Sequence, residues 1–308
     1  MSRGRGEAAM VPRAEPASYY GRPVIKAPVW SAEVPWYFFA GGLAGASAVL
    51  GAAADATGNH TLARRAWLLA VAGVSASPPL LISDLGRPAR FMNMLRVFKV
   101  TSPMSVGSWV LAASGGATTV AAGHELFGWF GRLGPLAKVA STALGPALAT
   151  YTGVLVADTA VPAWHEARRE LPFVFAGSAM ASAGAASAAL TPRSHAGPAR
   201  RLTVSGAVLE LGAAELMTRR LGSLAEPYRT GRARRLAQAA RALTAAGAAL
   251  VGARGHRSRA TAIAGGGAVL AGAVCQRWAV FEAGRESAAD PKYTVEPQRE
   301  RLRRAAGD

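Results

Sequence analysis

The sequence contains a single cysteine, Cys275, among 308 residues. Disulfide frameworks, Cys-rich zinc sites and cysteine-ligated iron–sulfur clusters all need several thiolates, so none of them is expected in this chain. The five histidines lie singly, in predicted loops or at the edges of apolar segments. A bis-histidine haem needs axial ligands inside membrane spans, so no haem is expected either, and a histidine metal site has little support. Any metal-centred redox chemistry must therefore belong to another chain.

Charge is also scarce, since 17% of the residues are charged and 51% are hydrophobic. A helix rises 1.5 Å per residue, so about 20 apolar residues cross a hydrocarbon core of roughly 30 Å. Five segments without any charge have about this length, and they indicate an integral membrane protein. These segments are 34–54, 66–83, 104–123, 139–157 and 171–192.

Three weaker apolar segments follow, and each contains ionisable residues. Segment 202–218 includes Glu210 and Glu215, segment 236–253 includes Arg241, and segment 260–281 includes Arg277. We predict an all-α bundle of eight transmembrane helices over residues 34–282, after an extended tail (1–33) and before a charged tail (283–308). The alternative for the last three segments is a set of Ala-rich amphipathic helices lying on the membrane surface.

The net charge of +17 is distributed unevenly along the chain. In the eight-span arrangement, 23 of the 35 Lys and Arg residues lie on the side that holds both termini, 10 lie opposite, and two lie within spans. Lys and Arg accumulate in cytoplasmic loops, so we predict a multi-pass protein of the cell membrane with both termini in the cytoplasm. This asymmetry explains the positive charge without a nucleic-acid partner.

Several polar residues are expected near the terminus-bearing side of the membrane. Tyr151 precedes Asp158 by two helical turns, which puts both on one helix face. Glu33 and Asp84 lie at the ends of spans on the same side, and Glu33 precedes a Trp-Tyr-Phe-Phe run at 36–39. A phenol within the membrane and carboxylates near its surface are what a quinone head group needs, because its carbonyl oxygens accept hydrogen bonds and its reduction consumes protons.

A simpler interpretation of the same residues is structural. Arg241 and Arg277 could extend their charged ends to the membrane surface, with Glu215 paired to one of them, while Trp36 and Tyr37 belong to an interfacial aromatic belt. Glu210, near the middle of its span, is harder to explain in this way, although a hydrogen-bonded structural carboxyl remains an alternative.

The loop between the second and third spans contains an apolar periodicity. From Pro88, which can begin a helix, Phe91, Met94, Leu95 and Phe98 recur at helical spacing. Basic residues occupy the other positions, so the loop predicts an amphipathic surface helix that binds either lipid head groups or an acidic partner.

This loop and its neighbours resemble the membrane subunit of the polysulfide reductase and NrfD family. The similarity is carried by motifs that recur in order from about residue 19 to residue 164. They are Tyr19-Tyr-Gly-Arg-Pro23, Pro28-Val-Trp30, Val34-Pro-Trp-Tyr-Phe-Phe-Ala-Gly-Gly42, Asp84-Leu-Gly-Arg-Pro88, Arg90-Phe-Met-Asn-Met-Leu-Arg96, Ser102-Pro-Met-Ser-Val-Gly-Ser-Trp109, Tyr151-Thr-Gly153 and Asp158-Thr-Ala-Val-Pro-Ala-Trp164.

The resemblance implies an eight-helix, haem-free subunit that exchanges electrons between membrane quinone, either menaquinone or ubiquinone, and a peripheral four-cluster iron–sulfur protein. That protein is in turn coupled to a molybdopterin catalytic subunit, and the Tyr-Tyr-Gly-Arg-Pro motif is similar to members that accompany formate dehydrogenases. The chain alone is then an incomplete enzyme. The two rival functions are a proton-coupled transporter, which would use the intramembrane charges as an ion path, and a membrane anchor without a quinone site.

The resemblance also suggests residue roles. Tyr151 is the expected hydrogen-bond donor to the quinone, and Glu33, Trp36, Tyr37 and Asp158 are further candidates for the same pocket. The proton-transfer candidates are Glu210, Glu215 and Asp84, with Glu215 favoured over Glu210 by its depth. The partner-docking candidates are Arg87, Arg90, Arg96 and Lys99.

Overall fold

The computed structural model describes residues 22–307, apart from the side chains of Arg304 and Ala306. Within this range the chain is helical, without strands. The helices are α1 (Glu33–Ala56), α2 (His60–Asp84), α3 (Arg90–Met94), α4 (Pro103–Phe127), α5 (Leu133–Ala157), α6 (Pro162–His165), α7 (Leu171–Leu190), α8 (Gly197–Arg220), α9 (Gly231–Arg254), α10 (Arg259–Ala289) and α11 (Lys292–Ala306), with a 3₁₀ helix at Gly222–Arg229.

A long helix occupies each of the eight predicted spans. Six of them are long and apolar enough to cross a membrane, namely α1, α2, α5, α7, α9 and α10. Helix α4 is uncharged over the predicted span but rich in Ser, Thr and Gly, and α8 carries charged residues at both ends. The chain is therefore a multi-pass, all-helical membrane protein, and the crossing of the membrane by α4 and α8 stays a prediction.

Local sequence signals explain where several helices begin and end. The side chain of Asn59 accepts a hydrogen bond from the backbone of Leu62 at the start of α2, and Ser102 caps α4 in the same way ahead of Pro103. Helix α4 ends at Gly128, whose φ of 72° is the left-handed conformation that glycine adopts without strain.

Helix α1 lies at the centre of the bundle and packs against α2, α5, α7 and α10. Small residues permit these close crossings. A Cβ atom on Gly45 of α1 would collide with the backbone oxygen of Gly145 in α5, and one on Gly177 of α7 would collide with the backbone of Glu210 in α8.

Two segments differ from their predicted form. The surface helix expected from Pro88 to Phe98 is only the five-residue α3, since beyond Met94 the backbone oxygen of Val97 and the ring of Phe98 contact Trp109 of α4 instead of continuing the helix. The predicted charged tail 283–308 is largely helical, since α10 continues to Ala289 and α11 follows. The predicted extended tail 1–33 lies outside the described residues up to position 21.

Candidate functional site

A cleft opens at the end of the bundle where α1 and α4 begin and α2 and α5 end. Its walls include Tyr37, Asp84, Tyr151 and Trp30, and Met94 of the short surface helix α3 also lines it. The cleft is narrow, with a cavity volume of about 50 Å³. Most of its surface is apolar, with polar groups concentrated at the two tyrosines and the carboxylate, as is usual for small-molecule sites.

Tyr151 and Tyr37 form the aromatic wall of this cleft. Their ring centroids lie 6.4 Å apart in an edge-to-face arrangement. The hydroxyl oxygen of Tyr151 is buried, and it has no hydrogen-bond partner among residues 22–307. Leaving a buried hydroxyl unsatisfied costs about 1–3 kcal/mol, so a ligand that accepts a hydrogen bond at this position would be stabilised.

Gly107 of α4 makes room for the Tyr151 ring. A Cβ atom at this position would overlap Cε2 of the ring and lie 2.7 Å from Cδ2, which no side chain can do without displacing the tyrosine. The glycine of the sequence motif Ser102-Pro-Met-Ser-Val-Gly-Ser-Trp109 is therefore required by the packing of Tyr151. The glycine lets the phenol of α5 lie against the backbone of α4.

Asp84 ends α2 and fastens the segment before α1 to this cleft. Its Oδ1 atom accepts hydrogen bonds from the backbone N–H of Ser31, at 2.8 Å, and from the Ser31 hydroxyl, at 2.6 Å. The side chain is half-buried, and so it borders both the cleft and the aqueous end of the bundle. A carboxylate in this position can exchange protons with water.

The other predicted quinone residues do not line the cleft. Asp158 is exposed at the end of α5, Trp36 is 45% exposed on the outside of α1, and Glu33 is half-buried in the first turn of α1. Their helical positions place them near the same end of the bundle as the cleft. Of the five predicted quinone-binding residues, only Tyr37 and Tyr151 lie together.

Glu210 and Arg277 form a second polar site, buried inside the bundle. Each is only 1% exposed, and they interact electrostatically although no ion pair within 4 Å joins them. Arg277 donates a hydrogen bond to the backbone oxygen of Phe175 and stacks on the Phe175 ring, with its guanidinium carbon 3.8 Å from the centroid. Full burial contradicts the interpretation that Arg277 extends to the membrane surface.

Several polar atoms of this buried pair have no protein partner within the described part of the chain. They are Oε2 of Glu210 and Nε and Nη1 of Arg277. Buried charged groups of this kind need either water or proton exchange to be tolerated. The Phe175 ring lies 5.8 Å from that of Phe38, which lines the cleft, so the buried pair is one aromatic layer away from the first site.

Glu215, which its depth favoured over Glu210 as the proton-transfer residue, lies outside this buried site. Its side chain is 45% exposed and pairs with Arg219 at 2.7 Å and with Arg241 at 3.5 Å. This is the pairing that the structural interpretation predicted. The position of Glu215 relative to the membrane stays a prediction, and the direction of its side chain depends on how α8 packs against α9.

The four predicted docking residues, Arg87, Arg90, Arg96 and Lys99, are all exposed. None of them forms an ion pair with another residue of the range 22–307. Met92, Val97 and Phe98 of the same loop are exposed apolar residues. The loop therefore presents a mixed basic and apolar surface directly beside the cleft.

One feature of the site was not predicted from sequence. The ring of Trp30, which lines the cleft, stacks on Trp164 with centroids 5.3 Å apart and an interplanar angle of 20°. Trp164 is held by a 2.7 Å hydrogen bond from its indole N–H to the backbone oxygen of Val280. Both tryptophans belong to motifs noted in the sequence, but only the fold shows that the two motifs meet.

A comparison with known protein families gives one match. The family model NrfD_2, described as polysulfide reductase, matches residues 17–290, which is most of the chain. No curated protein matches the sequence.

Proposed function

The chain belongs to the NrfD_2 polysulfide reductase family, and we propose that it is the haem-free, quinone-reactive membrane subunit of a multisubunit oxidoreductase. It would exchange electrons between a membrane quinone, menaquinone or ubiquinone, and a peripheral iron–sulfur subunit. The observation that carries this proposal is the buried hydroxyl of Tyr151, which faces no acceptor among residues 22–307. A quinone carbonyl oxygen would supply that acceptor.

The donors around the cleft fit a quinone ring in chemistry. Tyr151 would donate its hydroxyl hydrogen to one carbonyl oxygen, and the Tyr37 ring would lie against the bound ring. When bound, the quinone supplies a carrier that takes up two electrons and two protons. Asp84, which borders both the cleft and the aqueous end of the bundle, would pass protons between water and the cleft.

The fit in size requires movement of side chains. A water molecule occupies about 30 Å³ in the liquid, so the cavity of about 50 Å³ has less room than two water molecules need. A quinone ring is larger than that. Met94 and Met104 line the cleft and can change rotamer to widen it, because the unbranched thioether side chain changes conformation at low cost. Met94 belongs to the exposed loop, so widening at this side does not disturb the packed helices.

The loop beside the cleft supports the proposal of a protein partner. Its unpaired basic residues, Arg87, Arg90, Arg96 and Lys99, would bind acidic groups of an iron–sulfur subunit of four clusters. That subunit would connect the quinone to a molybdopterin catalytic subunit, of the polysulfide reductase or formate dehydrogenase type. Docking at this loop would bring a cluster to the edge of the cleft, which electron transfer requires.

One rival function has an observation in its favour. The buried Glu210 and Arg277 could carry protons through the bundle, as expected of a proton-coupled transporter. A membrane anchor without a quinone site would dispense with the Tyr151 hydroxyl altogether.

Affinity purification of the tagged full-length chain from its native membrane distinguishes the three. We expect an iron–sulfur subunit to co-purify and about one quinone per complex to be recovered on solvent extraction. An iron–sulfur subunit without any quinone would favour the bare anchor. Solute uptake by vesicles containing the chain alone, with no accompanying subunit, would favour the transporter.

A further inference from the structure

A second cleft lies at the same end of the bundle, separate from the cleft of Tyr37 and Tyr151. It is formed by the end of α8, the 3₁₀ helix and the first half of α9, and its volume is about 380 Å³. The charged groups in its walls are four guanidinium groups and one carboxylate. They belong to Arg219, Arg229, Arg234, Arg241 and Glu215.

The single carboxylate does not balance these charges. Glu215 forms ion pairs with Arg219 and Arg241. The side chains of Arg229 and Arg234 form neither an ion pair within 4 Å nor a hydrogen bond with any residue in the described part of the chain, although Arg229 interacts electrostatically with Glu215 over a longer distance. Four guanidinium groups thus face one cleft with a single carboxylate to offset them, and a bound anion would reduce their mutual repulsion.

Neutral hydrogen-bonding groups complete the cleft. Tyr228 is 6% exposed, and its hydroxyl has no partner among residues 22–307. Burial raises the pKa of the Tyr228 phenol, so it keeps its proton and remains a donor. Gln276 of α10, only 5% exposed, also lines the cleft, and its side-chain amide forms no hydrogen bond within that range. Guanidinium groups with a phenol and an amide are typical donors for a phosphate group.

An apolar stripe leads away from this cleft along the outside of α8. Val204, Val208 and Leu216 are exposed and occur at intervals of four and eight residues, so they form a slanted stripe that winds by about 120° around the helix. Gly212 completes the stripe, and a Cβ atom there would meet nothing within 4 Å. A free phosphate ion would make no contact with this apolar stripe, whereas the acyl chain of a lipid would lie along it.

We propose that this cleft binds the phosphate group of an anionic phospholipid, with one acyl chain along the stripe of α8. Basic pockets between helices at the cytoplasmic face of membranes suit such head groups. The site is separate from the quinone cleft and does not depend on the proposed redox function. The bound lipid would lie between α8 and α9, beside the basic segment that joins these two helices.

The test compares two double variants of the full-length chain, purified in mild detergent with the subunits that accompany it. Arg229→Gln with Arg234→Gln removes the two unpaired charges. Arg235→Gln with Arg299→Gln removes two exposed charges that do not line the cleft, and serves as the matched control. Binding of added phosphatidylglycerol, phosphatidylcholine and inorganic phosphate is measured by native mass spectrometry and by the change in Tm.

We expect the unmodified protein to bind phosphatidylglycerol in preference to phosphatidylcholine. A basic residue near the membrane surface strengthens this binding roughly fivefold, so loss of Arg229 and Arg234 should weaken it roughly 30-fold, while the control changes little. If inorganic phosphate raises the Tm as much as phosphatidylglycerol does, the phosphate site stands but its source is the free ion.

Two results overturn the proposal. One is equal binding of the anionic and the zwitterionic lipid by the unmodified protein, a result that does not depend on whether the variants fold. The other is unchanged lipid binding in the Arg229 and Arg234 variant together with loss of a peripheral subunit. That outcome would assign the cleft to a protein partner.

Discussion

At the scale of single residues, the bundle tolerates a few polar groups that membrane interiors normally exclude. The Tyr151 hydroxyl, the Glu210 carboxyl and the Arg277 guanidinium are all buried with at least one polar atom lacking a partner among residues 22–307. Each such group costs free energy in an apolar environment, and structures keep them where they bind ligands or move protons.

The contact between Gly107 and Tyr151 gives a prediction about quinone content. Gly107→Ala adds a Cβ atom that overlaps the Tyr151 ring, so the ring must leave its position in the cleft. Overpacking of this kind costs about 1–3 kcal/mol, and we expect bound quinone to fall by roughly tenfold or more. Quinone extracted from purified complexes is quantified by chromatography. Gly116→Ala, in the same helix but with open space around its Cβ, is the control and should retain its quinone.

The buried pair gives a prediction about stability. Arg277→Met leaves the Glu210 carboxyl in the bundle without its nearby opposite charge, and the cost should be below the roughly 3–5 kcal/mol of breaking a directly bonded buried pair. We expect a lower Tm and less folded protein in the membrane. Adding Glu210→Gln removes the uncompensated charge and should restore much of the loss. Strictly additive losses in this double-mutant cycle would mean that the two residues do not act together.

Residue chemistry was only partly predictable from the sequence. Tyr37, Tyr151 and Asp84 could be selected because they are polar or aromatic residues in one half of the predicted membrane, and the family resemblance pointed to Tyr151. The sequence could not show that Glu210 faces Arg277, because the two residues lie on different helices and their proximity depends on packing. It also could not show that Glu215 turns outward to pair with Arg219 and Arg241.

At the scale of elements, the apolar segments predict where the helices lie better than they predict the residues at which the helices begin and end. Charge-free runs mark the middle of α1, α4 and α7 within a few residues. By contrast, α2 begins at His60, six residues before the predicted span, and α10 continues eight residues past it to Ala289. Arg and Glu favour helix but are hydrophilic, so a search for apolar segments misses helical turns that contain them.

The crossing of α1 and α5 gives a prediction about bundle packing. Gly45 and Gly145 lie so close that a Cβ on either would collide with the backbone of the other helix. Gly45→Ala should therefore force the helices apart and lower the Tm in detergent by roughly 3–10 °C. Gly267→Ala in α10, whose Cβ would meet nothing within 4 Å, should leave the Tm unchanged or slightly raise it, since Ala is the better helix former.

At the scale of the whole molecule, charge and polar sites share one end of the bundle. The excess of Lys and Arg, the tyrosine cleft, the exposed basic loop and the arginine cleft all lie where both termini are predicted to be. The positive charge on which the predicted orientation rests thus lies beside the candidate binding surfaces.

Orientation is open to a direct measurement. A reporter fused after Asp308 should be active only if it works in the cytoplasm, because Lys and Arg favour that side by 23 to 10. Reporter pairs that fluoresce or hydrolyse substrate on opposite sides of the membrane provide the assay. Activity confined to the outer side would reverse the orientation and place the partner-binding loop outside the cell.

Electron exchange with quinone at the Tyr151 cleft is the central claim, and one measurement tests it most directly. The purified complex is given a quinol, and reduction of its iron–sulfur clusters is followed optically in the unmodified protein, in Tyr151→Phe and in Tyr293→Phe. Tyr293 is a buried tyrosine that does not line the cleft. Loss of a hydrogen bond to the quinone should slow the reaction roughly tenfold or more in Tyr151→Phe, with normal assembly, and leave Tyr293→Phe unchanged. Equal rates in all three proteins would contradict the account.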